Sequence, residues 1–375
     1  MPSDEQLMRG ALRLAKRAKG ETSPNPLVGA IMARGGKIIG RGWHHRAGLP
    51  HAEVEAIADA KHKGNPTKGA TLYVTLEPCS TSGRMPPCTR AIIGAGISRV
   101  VVAATDPNPE HAGRAFRLLK RQGITVEHGV LAGQATEINV AFNHWIMTGL
   151  PFVTIKAAMT LDGKIATAGG ESKWITGPEA RREGMKLRHE ADAILVGVNT
   201  IIADDPGLTL RDVRRPKAAW RGPALRRIIL DPRARTPLVS QVLNDEFAEQ
   251  TTVVVSPGAP AGRLAKLKQC CRVIKCPMAK QGFNLKSLLG KLGRQDCTHL
   301  LVEGGGETNA AFIEAGLARR MAFFYAPKIL GGREARTAVA GRGLPLAGGL
   351  RLEKIRWRNL GPDLMLTARV ADVQP

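Results

Sequence analysis

The sequence is 375 residues long and carries 55 Lys and Arg against 32 Asp and Glu, a formal net charge of +23 at pH 7. A chain of this length exceeds what one hydrophobic core usually supports, so we expect two domains. No apolar stretch is long enough to span a bilayer, and the first residues lack the basic-then-apolar order of a secretory signal. We therefore expect neither a membrane-spanning nor a secreted protein, and a cytoplasmic location is the default expectation.

In chain order, the first part of the sequence alternates helical and strand periodicity. Helices are predicted at 7–18, from 51, from 88, at 116–122 and at 135–148. Strands are predicted at 27–32, 37–40, 70–76, 100–104 and 124–127, with a glycine hairpin turn at 35–36. The Gly149-Leu150-Pro151 stretch predicts a boundary between domains 1–149 and 150–375.

The second part continues the alternation, which predicts a mainly parallel sheet. Strands are predicted at 151–158, 193–198, 227–230, 252–255, 272–275, 299–303 and 321–325. Thr176 and Glu179 form a predicted capping box, with Pro178 in the first turn of a helix that runs to about His189. The glycines at 304–306 follow a strand and precede a helix predicted at 309–316, which makes them a candidate phosphate cradle.

Three soft ligands are spread along the first domain. His51 is followed by Glu53, and Cys79 and Cys88 each follow a proline. One imidazole and two thiolates suit zinc and leave a fourth position for water, whose pKa the metal lowers. Glu53 is not needed as a ligand and is free to relay protons as the catalytic residue. H-x-E followed by P-C and a second Cys is typical of zinc nucleobase deaminases, although a structural zinc site is the alternative.

The two cysteines are separated by eight residues rather than the two of plain nucleobase deaminases. This P-C-S-x-x-G-[RK]-x-P-P-C arrangement resembles the deaminase half of the bifunctional riboflavin-biosynthesis deaminase–reductases. The resemblance continues at 24–30, 47–51, 75–78 and 106–109. Residues 151 to about 330 resemble the reductase half, through the stretches 156–164, 174–176, 203–211, 302–305 and 326–332. The expected fold is α/β, with a cytidine-deaminase-like zinc domain followed by a domain similar to dihydrofolate reductase.

The resemblance implies two reactions and the residues for each. The first domain would use Zn²⁺ to deaminate 2,5-diamino-6-(ribosylamino)pyrimidinone 5′-phosphate, and the second would use NADPH to reduce the ribosyl group to ribityl. Family positions for the deaminase substrate are Asn25, His44, Arg84, Asp106 and Asn108. Those for the reductase substrate are Lys156, Ser172, Arg188, Leu208, Arg211 and Glu303, and those for the cofactor are Ala158, Trp174, Thr200, Asp204 and Gly305.

Two features leave alternatives open. The positive charge is typical of nucleic-acid binders, so a tRNA or nucleotide zinc deaminase with an appended basic domain is the alternative function. The basic residues are nevertheless dispersed, and five Trp, two Tyr and eight Phe offer little base stacking. Nucleic acid is therefore not the expected partner. The expected partner is the phosphorylated pyrimidine that the resemblance implies, and the chain is expected to form a homo-oligomer. Thr81 stands where many family members have His, which affects the expected substrate contacts and not the zinc ligands.

Overall fold

The computed structural model describes residues 2–81, 86–211, 225–280 and 282–371. The chain divides into two compact units, Met1–Gly149 and Leu150–Pro375. Gly149 ends the last helix of unit 1 in the left-handed conformation, with φ of 69°, which glycine adopts at little steric cost. Among the helices of these described ranges, none combines the length and the apolar character that crossing a membrane requires.

Unit 1 is a five-stranded sheet covered by helices. The sheet order is β2-β1-β3-β4-β5, in which β1 is antiparallel to both β2 and β3, whereas β3, β4 and β5 run parallel. The elements are α1 (Asp4–Ala15), β1 (Gly29–Arg34), β2 (Lys37–Trp43), α2 (Ala52–His62), β3 (Thr71–Leu76), α3 (Cys88–Gly94), β4 (Arg99–Ala104), α4 (Arg114–Arg121), β5 (Thr125–His128), α5 (Ala132–Ile138) and α6 (Val140–Thr148).

Both faces of this sheet are buried by helices. Successive side chains of a strand point to opposite faces, so neighbouring residues enter different clusters. Met32 of β1 packs with α2, α3 and α4 in one apolar cluster. Its neighbour Ile31 packs with α1 and α5 in a second cluster on the opposite face. The three-layer arrangement explains why the strands read as nearly continuous apolar runs.

Small residues bring α2 close to the sheet. A Cβ built on Gly42 would lie 2.4 Å from the carbonyl oxygen of Ala52, and one on Gly40 would lie 2.3 Å from that of Ala56. Neither position therefore accepts a larger residue without movement of the helix. The close contact fixes the start of α2, where His51 and Glu53 lie.

The single helix predicted at 135–148 is wrong, because the chain breaks at Asn139 into α5 and α6. Asn139 is buried and its side chain bonds both backbone groups of Leu27, accepting from N at 2.7 Å and donating to O at 2.9 Å. Leu27 lies before β1, and these bonds give its backbone N–H and carbonyl groups partners outside the sheet. The first helix is α-helical only to Ala15, and a capping box of Ser3 and Gln6 begins it.

Unit 2 contains a nine-stranded sheet and six α-helices within its described residues. Its elements are β6 (Phe152–Thr160), β7 (Lys164–Ala166), α7 (Pro178–His189), β8 (Ala193–Gly197), α8 (Val198–Asp204), β9 (Arg226–Leu230), α9 (Gln241–Asn244), β10 (Thr251–Val255), α10 (Ala261–Cys270), β11 (Arg272–Lys275), β12 (Met278–Ala279), β13 (Gly282–Phe283), α11 (Leu285–Gly293), β14 (His299–Val302), α12 (Gly306–Glu314), β15 (Arg320–Ala326), β16 (Arg336–Thr337), β17 (Leu352–Leu360) and β18 (Asp363–Val370).

The strand order of the large sheet is β11-β10-β9-β8-β14-β6-β15-β18-β17. The first seven strands in this order run parallel, as predicted, and β18 and β17 form an antiparallel hairpin at one edge. Helices α11 and α12 pack on one face, and α7, α8 and α10 pack on the other. The carboxyl ends of β8 and β14 therefore meet at one edge, where α8 and α12 begin.

Two local predictions in unit 2 are wrong. Thr176 does not cap α7; the N-cap is Gly177, whose N–H donates to Oδ2 of Asp363 at 2.7 Å. A carboxylate far along the chain thus accepts from the N-cap N–H, the part that Glu179 would have played in the predicted capping box. The helix predicted at 309–316 begins three residues earlier, at Gly306.

Candidate active sites

The predicted metal ligands of unit 1 come together at the ends of three elements. His51 is the N-cap of α2, Cys79 follows β3, and Cys88 is the first residue of α3. Their ligand atoms all lie within 4.8 Å of one another. His51 Nδ1 is 3.2 Å from Cys88 Sγ and 3.5 Å from Cys79 Sγ, so three separate parts of the sequence form one compact donor set.

The chemistry of this donor set fits zinc. Hydrogen bonds from the Cys88 thiol and from His51 lower the pKa of Cys79, so this sulfur is the first of the two to lose its proton. The bond to Cys79, together with burial, raises the pKa of Cys88. The two sulfurs therefore share one proton, which a bound metal cation displaces. One nitrogen and two sulfur donors leave a fourth position open, as catalytic zinc sites do.

Glu53 is the second residue of α2, beside this cluster, and is only 3% exposed. Burial, reinforced by the negative charge on Cys79, raises the pKa of Glu53 to about 7. A carboxyl group with this pKa takes up or releases a proton near neutral pH, which is what a general acid–base catalyst requires.

Asn25 and His44 lie next to the metal ligands. The His44 ring packs edge-on against the His51 ring, with 5.2 Å between centroids. Its Nδ1 is 3.1 Å from the carbonyl oxygen of Pro50 and its Nε2 is 3.0 Å from Asn25 Nδ2. Because a carbonyl oxygen only accepts, Nδ1 carries the proton, and burial lowers the pKa of His44. A neutral His44 accepts from Asn25 through Nε2.

The other predicted pyrimidine-site residues follow β4, the strand beside β3. Asp106 Oδ1 accepts from the backbone N of Asn108 at 2.9 Å, and the backbone N of Asp106 donates to Oε2 of Glu77 at 3.2 Å. Burial raises the pKa of Asp106. Since β3 and β4 are parallel, this loop and Cys79 leave the sheet at the same edge. Arg84 lies outside the described residues.

In unit 2, three predicted substrate residues form one ionic cluster. Glu303, just after β14, accepts from Arg188 Nε at 2.7 Å and Nη2 at 3.1 Å, and from Lys156 Nζ at 3.3 Å. Burial alone would raise the pKa of Glu303, but the two cations outweigh it and lower this pKa to about 2. Arg188 Nη1 also donates to the carbonyl oxygen of Thr209 at 3.0 Å. Two cations and one anion leave the cluster with one positive charge.

Other reductase positions lie around α8 and α7. Ser172 Oγ donates to Oδ1 of Asp204, the last residue of α8, at 2.8 Å, and Thr200 lies on the same helix. Trp174 is 61% exposed, with the Arg181 guanidinium 4.6 Å from its ring centroid. The remaining predicted positions are Ala158 on β6, the buried Leu208, and the exposed Arg211 at the end of a described stretch.

The glycines at 304–306 have separate roles. A Cβ on Gly304 would lie 2.4 Å from Thr308 Cβ, and one on Gly306 would lie 2.4 Å from the carbonyl oxygen of Thr337, so both are needed for packing. Gly305 is the N-cap of α12, and a Cβ there would meet no heavy atom within 4 Å. Open space beside a helix N-terminus fits a phosphate-bearing cofactor.

Comparison with known proteins agrees with both halves of this description. Residues 1–104 match the family model for the cytidine and deoxycytidylate deaminase zinc-binding region, and residues 151–366 match the one for the RibD C-terminal domain. The riboflavin biosynthesis protein RibD of Aquifex aeolicus is 45% identical over 97% of this chain and 97% of that protein. RibD of Escherichia coli is 39% identical over 97% of this chain and 98% of that protein.

A solved structure of Acinetobacter baumannii RibD covers 98% of this chain and 99% of its own, with 36% identity and a TM-score of 0.86. The Thermotoga maritima structure described as a diaminohydroxyphosphoribosylaminopyrimidine deaminase/5-amino-6-(5-phosphoribosylamino)uracil reductase covers 98% and 99%, with 33% identity and a TM-score of 0.83. The predicted family, the cytidine-deaminase-like first fold and the dihydrofolate-reductase-like second fold are confirmed. The chain belongs to the RibD family of riboflavin-biosynthesis enzymes, in which a zinc-dependent deaminase and an NADPH-dependent reductase share one polypeptide.

Proposed function

We propose that unit 1 hydrolytically deaminates 2,5-diamino-6-(ribosylamino)pyrimidinone 5′-phosphate and that unit 2 reduces the ribosyl group of the product to ribityl. The observation that supports the first assignment best is the buried Glu53 carboxyl beside the His51, Cys79 and Cys88 donor set. A purely structural metal site has no need of a buried carboxyl group beside its ligands.

His51, Cys79 and Cys88 hold Zn²⁺ in this proposal. When bound, zinc lowers the pKa of a coordinated water and so provides a nucleophile at neutral pH. Glu53 accepts a proton at its carboxylate oxygen from the attacking water and passes it to the departing amine. Its burial keeps bulk water away, so the proton stays between the carboxylate and the reacting atoms.

Asn25 and His44 hold the pyrimidine beside the metal ligands, and the loop of Asp106 and Asn108 holds the ribose phosphate end together with Arg84. The Asn25 amide donates to a neutral His44, which leaves the amide oxygen of Asn25 as an acceptor for ring N–H groups. Carboxylate and amide side chains suit ribose hydroxyls because they can accept from two neighbouring groups.

In unit 2, NADPH supplies the hydride that C1 of the ring-opened ribosyl group accepts. The net positive cluster of Lys156, Arg188 and Glu303 orients the phosphorylated substrate, since guanidinium and ammonium groups bind phosphate oxygens strongly. Further substrate positions are Ser172, Leu208 and Arg211. The cofactor positions are Ala158, Trp174, Thr200, Asp204 and Gly305, of which Gly305 offers open space at a helix N-terminus.

Self-association and a cytoplasmic location complete the proposal. Strand β17 is one of the two edge strands of the nine-stranded sheet, and Ile355 and Trp357 on it are 51% and 57% exposed. An edge strand with apolar side chains favours pairing with a second copy, which light scattering after size exclusion tests directly. A metal-site thiolate and a need for NADPH favour the reducing cytoplasm. A gel shift with tRNA tests the nucleic-acid alternative, and we expect no specific complex.

Replacing Glu53 by Ala tests the catalytic assignment. The variant keeps one zinc per chain, because no ligand is removed, but loses deamination by a factor of about 10² to 10⁴. Reduction of the deaminated intermediate by the same preparation stays unchanged. Glu55→Ala, on the same helix, is the matched control and keeps both activities. A Glu53→Ala protein that deaminates at the normal rate contradicts the proposed role.

A further inference from the structure

Glu77 lies between β3 and the ligand Cys79, and its side chain is only 5% exposed. Its carboxylate oxygens accept hydrogen bonds from backbone N–H groups of one segment, residues 106–115. Oε2 accepts from Asp106 at 3.2 Å and from Gly113 at 2.9 Å, and Oε1 accepts from Ala115 at 3.0 Å. Charge-assisted bonds of this kind are stronger than neutral ones, so a single side chain holds both ends of the segment 106–115.

Segment 106–115 also contains internal hydrogen bonds, which form next to the groups that Glu77 binds. Asp106 accepts from the backbone N of Asn108, and Asn108 Oδ1 accepts from the backbone N of Glu110 at 3.1 Å. Gly113 is the N-cap of α4, and as a glycine it has no side chain that could accept a hydrogen bond. The Glu77 carboxylate caps this helix instead, from another element. The positions of Asp106 and Asn108 thus follow from that of Glu77.

Glu77 is itself fixed relative to the metal ligands. Its backbone N donates to the carbonyl oxygen of Ala104 at 2.9 Å, which extends the pairing of β3 with β4 by one residue. Cys79 follows two residues later. The same strand end therefore sets the place of a metal ligand and of the loop proposed to hold the substrate.

We propose that Glu77 is a positioning residue of the deaminase, which sets the distance between the loop of Asp106 and Asn108 and the metal ligands. The inference rests on the proposed function of that loop. Glu77 touches neither the reacting atoms nor the metal. Losing it lets the loop move while the ligands stay, so the substrate binds less well to a centre that is otherwise intact.

The experiment compares Glu77→Gln and Glu77→Ala in the full-length, zinc-loaded protein. The Gln variant keeps the shape and one acceptor oxygen, whereas Ala removes both. We expect the deaminase KM for the diaminopyrimidine ribosyl phosphate to rise about tenfold or more in Glu77→Ala, and less in Glu77→Gln, with a smaller change in kcat. Zinc stays at one per chain and reductase turnover is unchanged. Hydrogen exchange at the amides of Asp106, Gly113 and Ala115 becomes faster, which reports the geometry without any turnover.

Asp192→Asn is the matched control. Asp192 Oδ2 also accepts backbone N–H groups, from Thr298 at 2.7 Å and His299 at 3.0 Å, but in unit 2. This variant leaves the deaminase KM unchanged. If Glu77 had only a structural role, zinc content and kcat would fall together in the Glu77 variants while KM stayed constant. That result overturns the proposal. If Glu77→Ala fails to fold, the KM and amide exchange of Glu77→Gln decide. If the wild-type protein does not deaminate the substrate, the proposed function is refuted separately. Unchanged amide exchange in the Glu77 variants would still refute the anchoring of segment 106–115 by Glu77.

Discussion

Replacing Glu303 by Gln removes the counter-charge of a buried arginine. The side chains of Arg188 and Glu303 are only 9% and 10% exposed, and two hydrogen bonds join them. Lys156 is the third member of the cluster. In the variant, both cations remain and lose the Glu303 charge that pairs with them. We therefore expect unit 2 to be destabilised strongly, although no apolar contact is lost.

Two estimates of the size of this effect agree. Removing one partner of a buried ion pair costs about 3–5 kcal/mol. A carboxyl group whose pKa falls from its ordinary value of 4.5 to about 2 contributes about 3 kcal/mol at neutral pH. Because the folded-state pKa of Glu303 is lowered, this contribution is complete above pH 4.5 and is lost as the pH falls towards 2. The deficit of the variant therefore shrinks below pH 4.5.

Native-state hydrogen exchange measures the loss within unit 2 alone, which matters because a two-unit chain need not unfold in one step. Amides of β8 and β14 should lose about 3 kcal/mol of protection at pH 7 in Glu303→Gln. The double variant with Arg188→Met removes the isolated charge and should recover part of that loss. A single variant that loses less than about 1 kcal/mol, or a double variant less stable than the single one, refutes the reasoning.

Three further predictions concern packing and the metal. Asn139→Ala leaves the backbone groups of Leu27 without partners and should lower the stability of unit 1 by about 2 kcal/mol in a denaturant titration, whereas an unchanged midpoint contradicts the proposed bonds. Gly306→Ala forces a Cβ against the carbonyl oxygen of Thr337 and should destabilise unit 2 by about 1–3 kcal/mol. Gly305→Ala should leave the stability of unit 2 unchanged and raise the KM for NADPH. Removing zinc with a chelator should abolish deamination and leave reduction intact; equal loss of both activities contradicts separate sites.

The metal centre could be predicted because its ligands are identified by type and order. His51, Cys79 and Cys88 are few, chemically distinct and placed at element ends, so the motif predicts a cluster without knowledge of the fold. Glu53 follows from its spacing to His51. The raised pKa of Glu53 could not be predicted, because it depends on burial by residues distant in sequence.

The errors arose where a distant partner decides local structure. The break at Asn139 depends on Leu27, 112 residues earlier, and the cap of α7 depends on Asp363, 186 residues later. The hairpin strand β17 was missed because its residues are mostly exposed and its sequence lacks a regular apolar alternation. Glu77 lies in a motif that carries the family resemblance, but only the fold shows which backbone groups its carboxylate holds.

We propose that one chain performs deamination and then reduction on the same phosphorylated pyrimidine. Mass spectrometry of the products formed by zinc-loaded protein from the diaminopyrimidine ribosyl phosphate and NADPH tests it directly. We expect a product in which one amino group is replaced by oxygen and two hydrogens are added, with the deaminated intermediate accumulating when NADPH is withheld. Unchanged substrate in the presence of zinc and NADPH would refute both proposed activities.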